Sequence, residues 1–532
     1  MTDAKPQKYT APALEKGLDI LELLSSTDAG LSLSEIARDL GLAHGLAEAP
    51  EATLSFGPLE PLVCLMQETP ADRLLPLLAA RLRSGTDLRQ LVAAGALANA
   101  RTFGGEDYVG FHTLMAISPA FHMAQEMPAG AQALPVLKVL HRNTRRIQEH
   151  GGRQGEVLHA VPPAPAASDV HGRPPLPEAI RRKETSEAEQ TLSALAAESP
   201  EDALNELLVA VQDQTEVHRV VLPYRAWDLL GIIGREQATT LLRQSVRYCV
   251  RAEGYRQPAT ADAPRTLLPR LLEEHRLLDR TPGVRSADEA WIGEFSETLF
   301  RSTPGQAAAA AAAALAEGMA PGAVGEAITL AANQLVLRDL GRPPRDESPG
   351  KPTGSVHGDS IGVHATDSAN AWRNLARVSN ARNGFASLIL GAYQVAIDRT
   401  ARGGDFLQWA PLPYGWQYEQ VKGLTDTAVL LRETDEAIRG NLQARASALV
   451  HCYGAQGGDP RPVFDLLLRY AVSEDGALHG EKFYRTCSEE FATTHPAFRW
   501  RHLVALARVT ASEHGRPAPG VAEARSLLRL DG

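Results

Sequence analysis

The amino-acid sequence predicts an all-α fold: a short N-terminal helix pair followed by an internally duplicated helical bundle or array. Three observations predict it. Alanine is abundant while aromatics make up only 5%, a balance that suits closely packed helices better than sheet. Apolar residues recur at helical spacing almost throughout, broken by a few Pro/Gly-rich stretches. A helical unit also recurs within the chain.

Residues 12–25 read as a first helix. Pro12 suits its opening position, and Leu14, Leu18, Leu21 and Leu24 form one apolar stripe. Ser32 and Glu35 make a capping box for a second helix with Leu33, Ile36, Ala37 and Leu40, which Gly41 ends. Pro50, Gly57 and Pro58 mark the stretch up to about residue 60 as irregular. Prolines and glycines likewise mark 161–177, 341–360 and 410–416 as breaks. The resulting division is 1–42, 61–160, 178–295 with a partial repeat, 296–400, and a C-terminal helical region at 417–532.

The repeat relates the segment starting at Gly85 to the one starting at Gly318. At this offset Ala94, Leu97 and Ala98 match Ala327, Leu330 and Ala331. Upstream lie Thr69-Pro70 and Thr303-Pro304. Downstream, each copy reaches a histidine that opens a helix, His112 and His364, and the longer second copy places its extra residues in the 341–360 loop. A partial third copy starts at His218. Each histidine is followed by an Ala-aromatic pair: Ala120-Phe121, Ala226-Trp227 and Ala371-Trp372.

The chain has 532 residues, with 54 Lys+Arg against 64 Asp+Glu and a net charge of −10. That balance argues against non-specific binding to nucleic acid or anionic membranes. The four cysteines, Cys64, Cys249, Cys452 and Cys487, form no C-x-x-C pair and suit a reducing cytoplasm. No window approaches 18 apolar residues, and MTDAKPQKYT contains no apolar signal region. The expectation is a cytoplasmic protein with no membrane partner.

Residues 8–42, KYTAPALEKGLDILELLSSTDAGLSLSEIARDLGL, resemble the opening of the IclR family of bacterial transcription regulators. ALEKGLDILELL matches the family's first helix, and LSLSEIARDLGL matches the first helix of its helix-turn-helix. The resemblance implies operator DNA as a partner, a small-molecule ligand and a homo-oligomer. After Leu42, where the family places its recognition helix and wing, this chain has AHGLAEAPEATLSFGPLE, with no Lys or Arg. In residues 1–42 four basic residues face seven acidic ones. Base reading needs polar or arginine side chains and phosphate anchors, so no DNA-binding residue is assigned. A looser resemblance links 363–380 and 384–399 to helical segments beside Rieske-type domains. No iron–sulfur ligand set accompanies them.

His112, His218 and His364 occupy equivalent places in the repeat, and His451 and His479 join them as candidate metal ligands, with Glu481 close to the last. Imidazoles converging on one axis suit a first-row transition metal; otherwise each histidine caps a helix or packs in a polar seam. The stretches 478–491 and 499–510 read as helices with solvated charged faces. No G-x-G-x-x-G, P-loop or G-x-S-x-G occurs. Three functions remain: a transcription regulator, a metal-dependent or redox enzyme using the histidines, and a helical interaction scaffold.

Overall fold

Short polar side chains set the helix starts that matter most. Asp87 accepts from the Arg89 amide at 2.7 Å while Gln90 accepts from the Asp87 amide, opening Leu88–Phe103 (α1). Asp107 caps Tyr108–Glu126 (α2) by accepting from the Gly110 amide. Ala133–Glu149 (α3) follows. Glu216 caps Val217–Ile233 (α4), which leads to Ala238–Gly254 (α5). Further on come Pro321–Arg338 (α6), Ile361–Val378 (α7, capped by Ser360) and Ala381–Asp398 (α8). Pro460–Ser473 (α9), His479–Thr493 (α10) and Trp500–Glu513 (α11) lie near the C-terminus.

The computed structural model describes residues 53–161, 175–255, 263–349, 351–356, 358, 360–401 and 404–530. The chain divides into two units, Met1–Ala52 and Thr53–Gly532, and every described residue belongs to the second. The helix pair expected over 12–41 and most of the 161–177 linker lie outside the described residues. Among the described residues the protein is all-α, with helices, turns and three isolated bridges but no strand. No described helix is long and apolar enough to cross a membrane.

Four helices form a closed ring of contacts: α2 packs on α4, α4 on α7, α7 on α10, and α10 on α2. Each has a further neighbour, with α1 on α2, α5 on α4, α6 on α7 and α11 on α10. Small residues allow the close approach. A Cβ on Gly362 would lie 2.5 Å from the Val336 amide nitrogen, so α7 meets α6 backbone to backbone just before His364. Buried polar ties fix the register. Asn99 on α1 donates to Thr113 on α2 and Asn143 on α3, both at 2.7 Å.

Two expectations are corrected. Neither 478–491 nor 499–510 presents a solvated charged face. In α10, Glu481, Lys482, Thr486 and Glu490 are buried. In α11, Arg508 is buried and donates to the carbonyls of Val336 and Asp339 at the end of α6. Glu481 pairs with Lys138, Glu490 with Arg373 and Arg508 with the two carbonyls, so these charges survive burial.

Candidate metal centre

Each ring helix brings one histidine in its first turn or two: His112 in α2, His218 in α4, His364 in α7 and His479 in α10. The ring of helices closes the histidines into a ring as well. His112 Nε2 lies 3.2 Å from His218 Nε2, and His364 Nε2 lies 3.3 Å from His479 Nε2. Within these pairs the ring centroids are 4.7 and 5.4 Å apart. Across the pairs, His112 to His479 is 5.1 Å and His218 to His364 is 5.8 Å.

The outward nitrogens fix the tautomers of three rings. His112 Nδ1 lies 2.7 Å from the Tyr108 carbonyl, and His479 Nδ1 lies 3.0 Å from the Ala477 carbonyl. A carbonyl only accepts, so both nitrogens carry the proton. His218 Nδ1 lies 2.7 Å from Glu216 Oε1. Burial alone would raise the Glu216 pKa, but hydrogen bonds from His218 and Tyr248 hold it down to about 2. It is a carboxylate, and His218 Nδ1 donates to it. The neutral forms of His112 and His218 therefore point bare Nε2 lone pairs at each other.

A proton or a metal ion between them would satisfy both lone pairs. Burial, aided by Lys482 and the neighbouring imidazoles, pushes the pKa of His112 and of His479 far below that of free imidazole. A proton on either ring is disfavoured, and one proton serves two rings at most. Nitrogen ligands about 2.0–2.1 Å from a tetrahedral zinc ion stand about 3.3 Å from one another, with imidazole centroids about 5 Å apart. The two facing Nε2 pairs, at 3.2 and 3.3 Å, have the first spacing, and the ring centroids, at 4.7 to 5.8 Å, bracket the second. Among the described residues no three or more His, Cys, Asp or Glu side chains already form a common ligand group. The four rings stand as two facing pairs.

The surroundings are charged and buried. Lys482, one turn after His479, has its pKa pushed down to about 8 by burial, with Asp367 and Glu481 opposing the shift. Asp367, one turn after His364, accepts from Thr486 Oγ1 at 2.8 Å, and burial raises its pKa. Glu481 pairs instead with Lys138 on α3 at 2.6 Å.

His451 is not part of the ring. It lies inside the helix Gln443–Ala455, half-buried against the Tyr418 ring at 5.2 Å. Burial and Arg501 lower its pKa. The sequence reading missed Glu216, although it lies two residues before His218, because a glutamate there reads as a cap. It is both a cap and the partner of His218 Nδ1, the arrangement that orients metal-bound imidazoles.

A cavity of about 740 Å³ borders the centre. Its wall includes Tyr108 and Phe111, whose rings lie 4.4 Å from His112 and 5.1 Å from His218 respectively. Glu216 and Tyr248 also line it, and Tyr248 donates to Glu216 Oε2 at 2.7 Å.

The IclR helix-turn-helix domain model matches residues 13–47. The chain thus carries an IclR-type helix-turn-helix segment, an element by which transcription regulators bind DNA. The match ends at Ala47, within the stretch devoid of Lys and Arg. No curated protein and no solved structure matches the chain.

Proposed function

We propose that the helical unit Thr53–Gly532 is a metal-dependent enzyme whose single first-row transition-metal ion is held by Nε2 of His112, His218, His364 and His479. The carrying observation is the facing pair of Nε2 atoms on His112 and His218, each with its Nδ1 proton already given to an acceptor. Four neutral imidazoles leave a divalent ion its full charge, which suits redox chemistry, or Lewis-acid chemistry if the ion takes a fifth ligand. The adjoining cavity supplies room for an organic substrate. The chain's own part would be to orient the ligands through Tyr108, Glu216 and Ala477 and to keep the centre dry.

The test is metal analysis of the full chain, purified without chelators, together with anaerobic titration by Co²⁺, Zn²⁺ and Fe²⁺. About one ion per chain is expected, falling below roughly a tenth in His112→Ala or His364→Ala and staying near one in His451→Ala. Failure of every ion to bind stoichiometrically would leave the rings as proton-sharing pairs and end the proposal.

The 13–47 match favours a second reading, a transcription regulator in which this unit is the sensing part. DNA binding by the full chain would then weaken only shallowly with salt, because few basic residues flank the segment. A steep salt slope would mean that phosphate contacts come from elsewhere.

A further inference from the structure

We propose that a second cavity, at the C-terminal end of α9, binds a small phosphate monoester, with its phosphate held by Arg439 and Arg469 and with Arg525 beside them. None of the four ring histidines lines this cavity, so the assignment does not depend on the metal-dependent enzyme proposed above.

Charge defines the head of the ligand. The cations come from separate elements: Arg439 ends the helix Thr427–Arg439, Arg469 stands near the end of α9, and Arg525 belongs to Val521–Leu527. His514 follows α11 directly and lines the same hollow. Among the described residues no carboxylate lines it. The chain as a whole carries a net charge of −10, so a hollow walled by cations from four elements departs from the rest of the molecule. Like charges gathered in this way repel, and an anion between them relieves the repulsion.

A shared carboxylate sets the geometry. Asp435 accepts from the Tyr470 hydroxyl at 2.8 Å, pairs with Arg439 at 2.7 Å and stands 3.5 Å from Arg469. It orients both guanidinium groups but balances one positive charge of the two. Its own side chain is 19% exposed, against 64% and 65% for the two arginines, so the arginines present themselves outward and Asp435 lies behind them. Arg439 Nε donates to the Tyr470 hydroxyl at 3.3 Å and Nη2 faces Asp435, which leaves Nη1 without a partner among the described residues. Guanidinium forks of this kind match the oxygens of a phosphate. The volume defines the rest of the ligand. At about 500 Å³ the hollow is of the size that takes a small organic molecule, and a lone phosphate would leave most of it to water. Met127 is half-buried at its edge, and Leu134, Val472 and Val521 close it on the core side.

The test is calorimetric titration of the full chain with phenyl phosphate, with inorganic phosphate as the head alone and benzyl alcohol as the body alone. The expected result is one saturable site for phenyl phosphate, at least about tenfold tighter than for either of the others. Arg469→Glu and Arg525→Glu should each weaken it by at least about tenfold. Arg469→Gln, which removes the charge without reversing it, should weaken it less. Arg345→Glu makes the same change of charge on the 341–360 loop, where Arg345 is 79% exposed. Screening should hold its effect to about twofold. Melting curves confirm that each variant folds. Three results overturn the proposal: no saturable binding of phenyl phosphate, equal affinity for phenyl phosphate and benzyl alcohol, or a loss in Arg345→Glu as large as in Arg469→Glu. Inorganic phosphate binding as tightly as phenyl phosphate would overturn the choice of a monoester.

Discussion

His112 and His502 are both fully or nearly buried, both lie early in a helix, and both have pKa values lowered by burial. They are nonetheless different kinds of residue. His502 Nε2 meets the Thr494 hydroxyl at 3.2 Å, a group that can donate or accept. His112 Nε2 meets only another imidazole whose own proton is used elsewhere. Neither burial nor a lowered pKa distinguishes a ligand from a packed histidine. His502 Nδ1 is itself buried with no partner among the described residues, so what sets His112 apart is the second imidazole nitrogen that faces its own at 3.2 Å.

The largest effect should come from breaking both pairs at once. The double variant His112→Ala/His364→Ala takes one imidazole from each pair and should hold no metal after dialysis, whereas His451→Ala and His502→Gln should match the wild type. In a melt, wild type with metal at about a thousandfold over its Kd should gain about 4 kcal/mol, and the double variant nothing. Equal stabilisation of both would show that the ion binds elsewhere.

The second prediction concerns buried charge that is structural. Arg373 on α7 pairs with Glu490 on α10, and Glu490 also accepts from Asn370 at 2.8 Å. Burial raises the Glu490 pKa, but Arg373 and its hydrogen bonds outweigh it, so the group stays ionised. Glu490→Ala strands Arg373 and should cost about 3–5 kcal/mol in chemical denaturation. Metal content at temperatures below the melt should be unchanged. Loss of metal in the folded variant would merge the two kinds of buried polar group that the comparison separates.

The fold class was legible because its signals are local. Caps, proline breaks and alanine-rich spacing act within a few residues, and the helices at α1, α2, α6 and α7 start where those signals lie. Four of the five candidate histidines, His112, His218, His364 and His479, stand near helix starts, and the structure brings their rings together. His451 looked equivalent as a residue but occupies a helix interior, where its direction is set by the packing of Gln443–Ala455. The burial of α10 and α11 was not legible. A charge count assigns Arg508 to solvent, but its partners are carbonyls at the end of α6, some 170 residues away in the chain, and no spacing in the sequence reports a backbone carbonyl.

A third prediction uses pH. Burial, with Arg373 and Arg501 nearby and Glu490 opposing, lowers the His502 pKa to about 4. The unfolded chain takes up that proton near the ordinary value of about 6.5. Between these values the unfolded state binds a proton that the folded state refuses, so stability is complete above about 6.5 and falls as pH drops toward 4. The loss assignable to His502 is at most roughly 3 kcal/mol. Metal-free His502→Gln should therefore show a flatter stability profile than metal-free wild type across this window. Parallel profiles would mean that His502 is protonated in the fold and belongs to a different class from the one assigned above.

The smallest effect offers the sharpest comparison, because the same chemistry occurs at two places. Ser360 caps α7 by accepting from the Val363 amide at 3.2 Å. Asp426 caps the helix Thr427–Arg439, accepting from the Ala428 amide at 2.8 Å. Replacing either cap with alanine should cost about 1 kcal/mol. The caps differ in what stands behind them. Ser360 holds the turn that carries His364, four residues on, against the close approach of Gly362 to α6. Fraying that turn frees His364 to leave the ring. Asp426 holds a helix that contributes no member of the four-histidine ring. Ser360→Ala should therefore weaken metal binding several-fold, and Asp426→Ala should leave it unchanged at the same loss of stability. Equal metal affinity in the two variants would show that the ring is held by the ion and the core alone, with no contribution from the order of the helix starts.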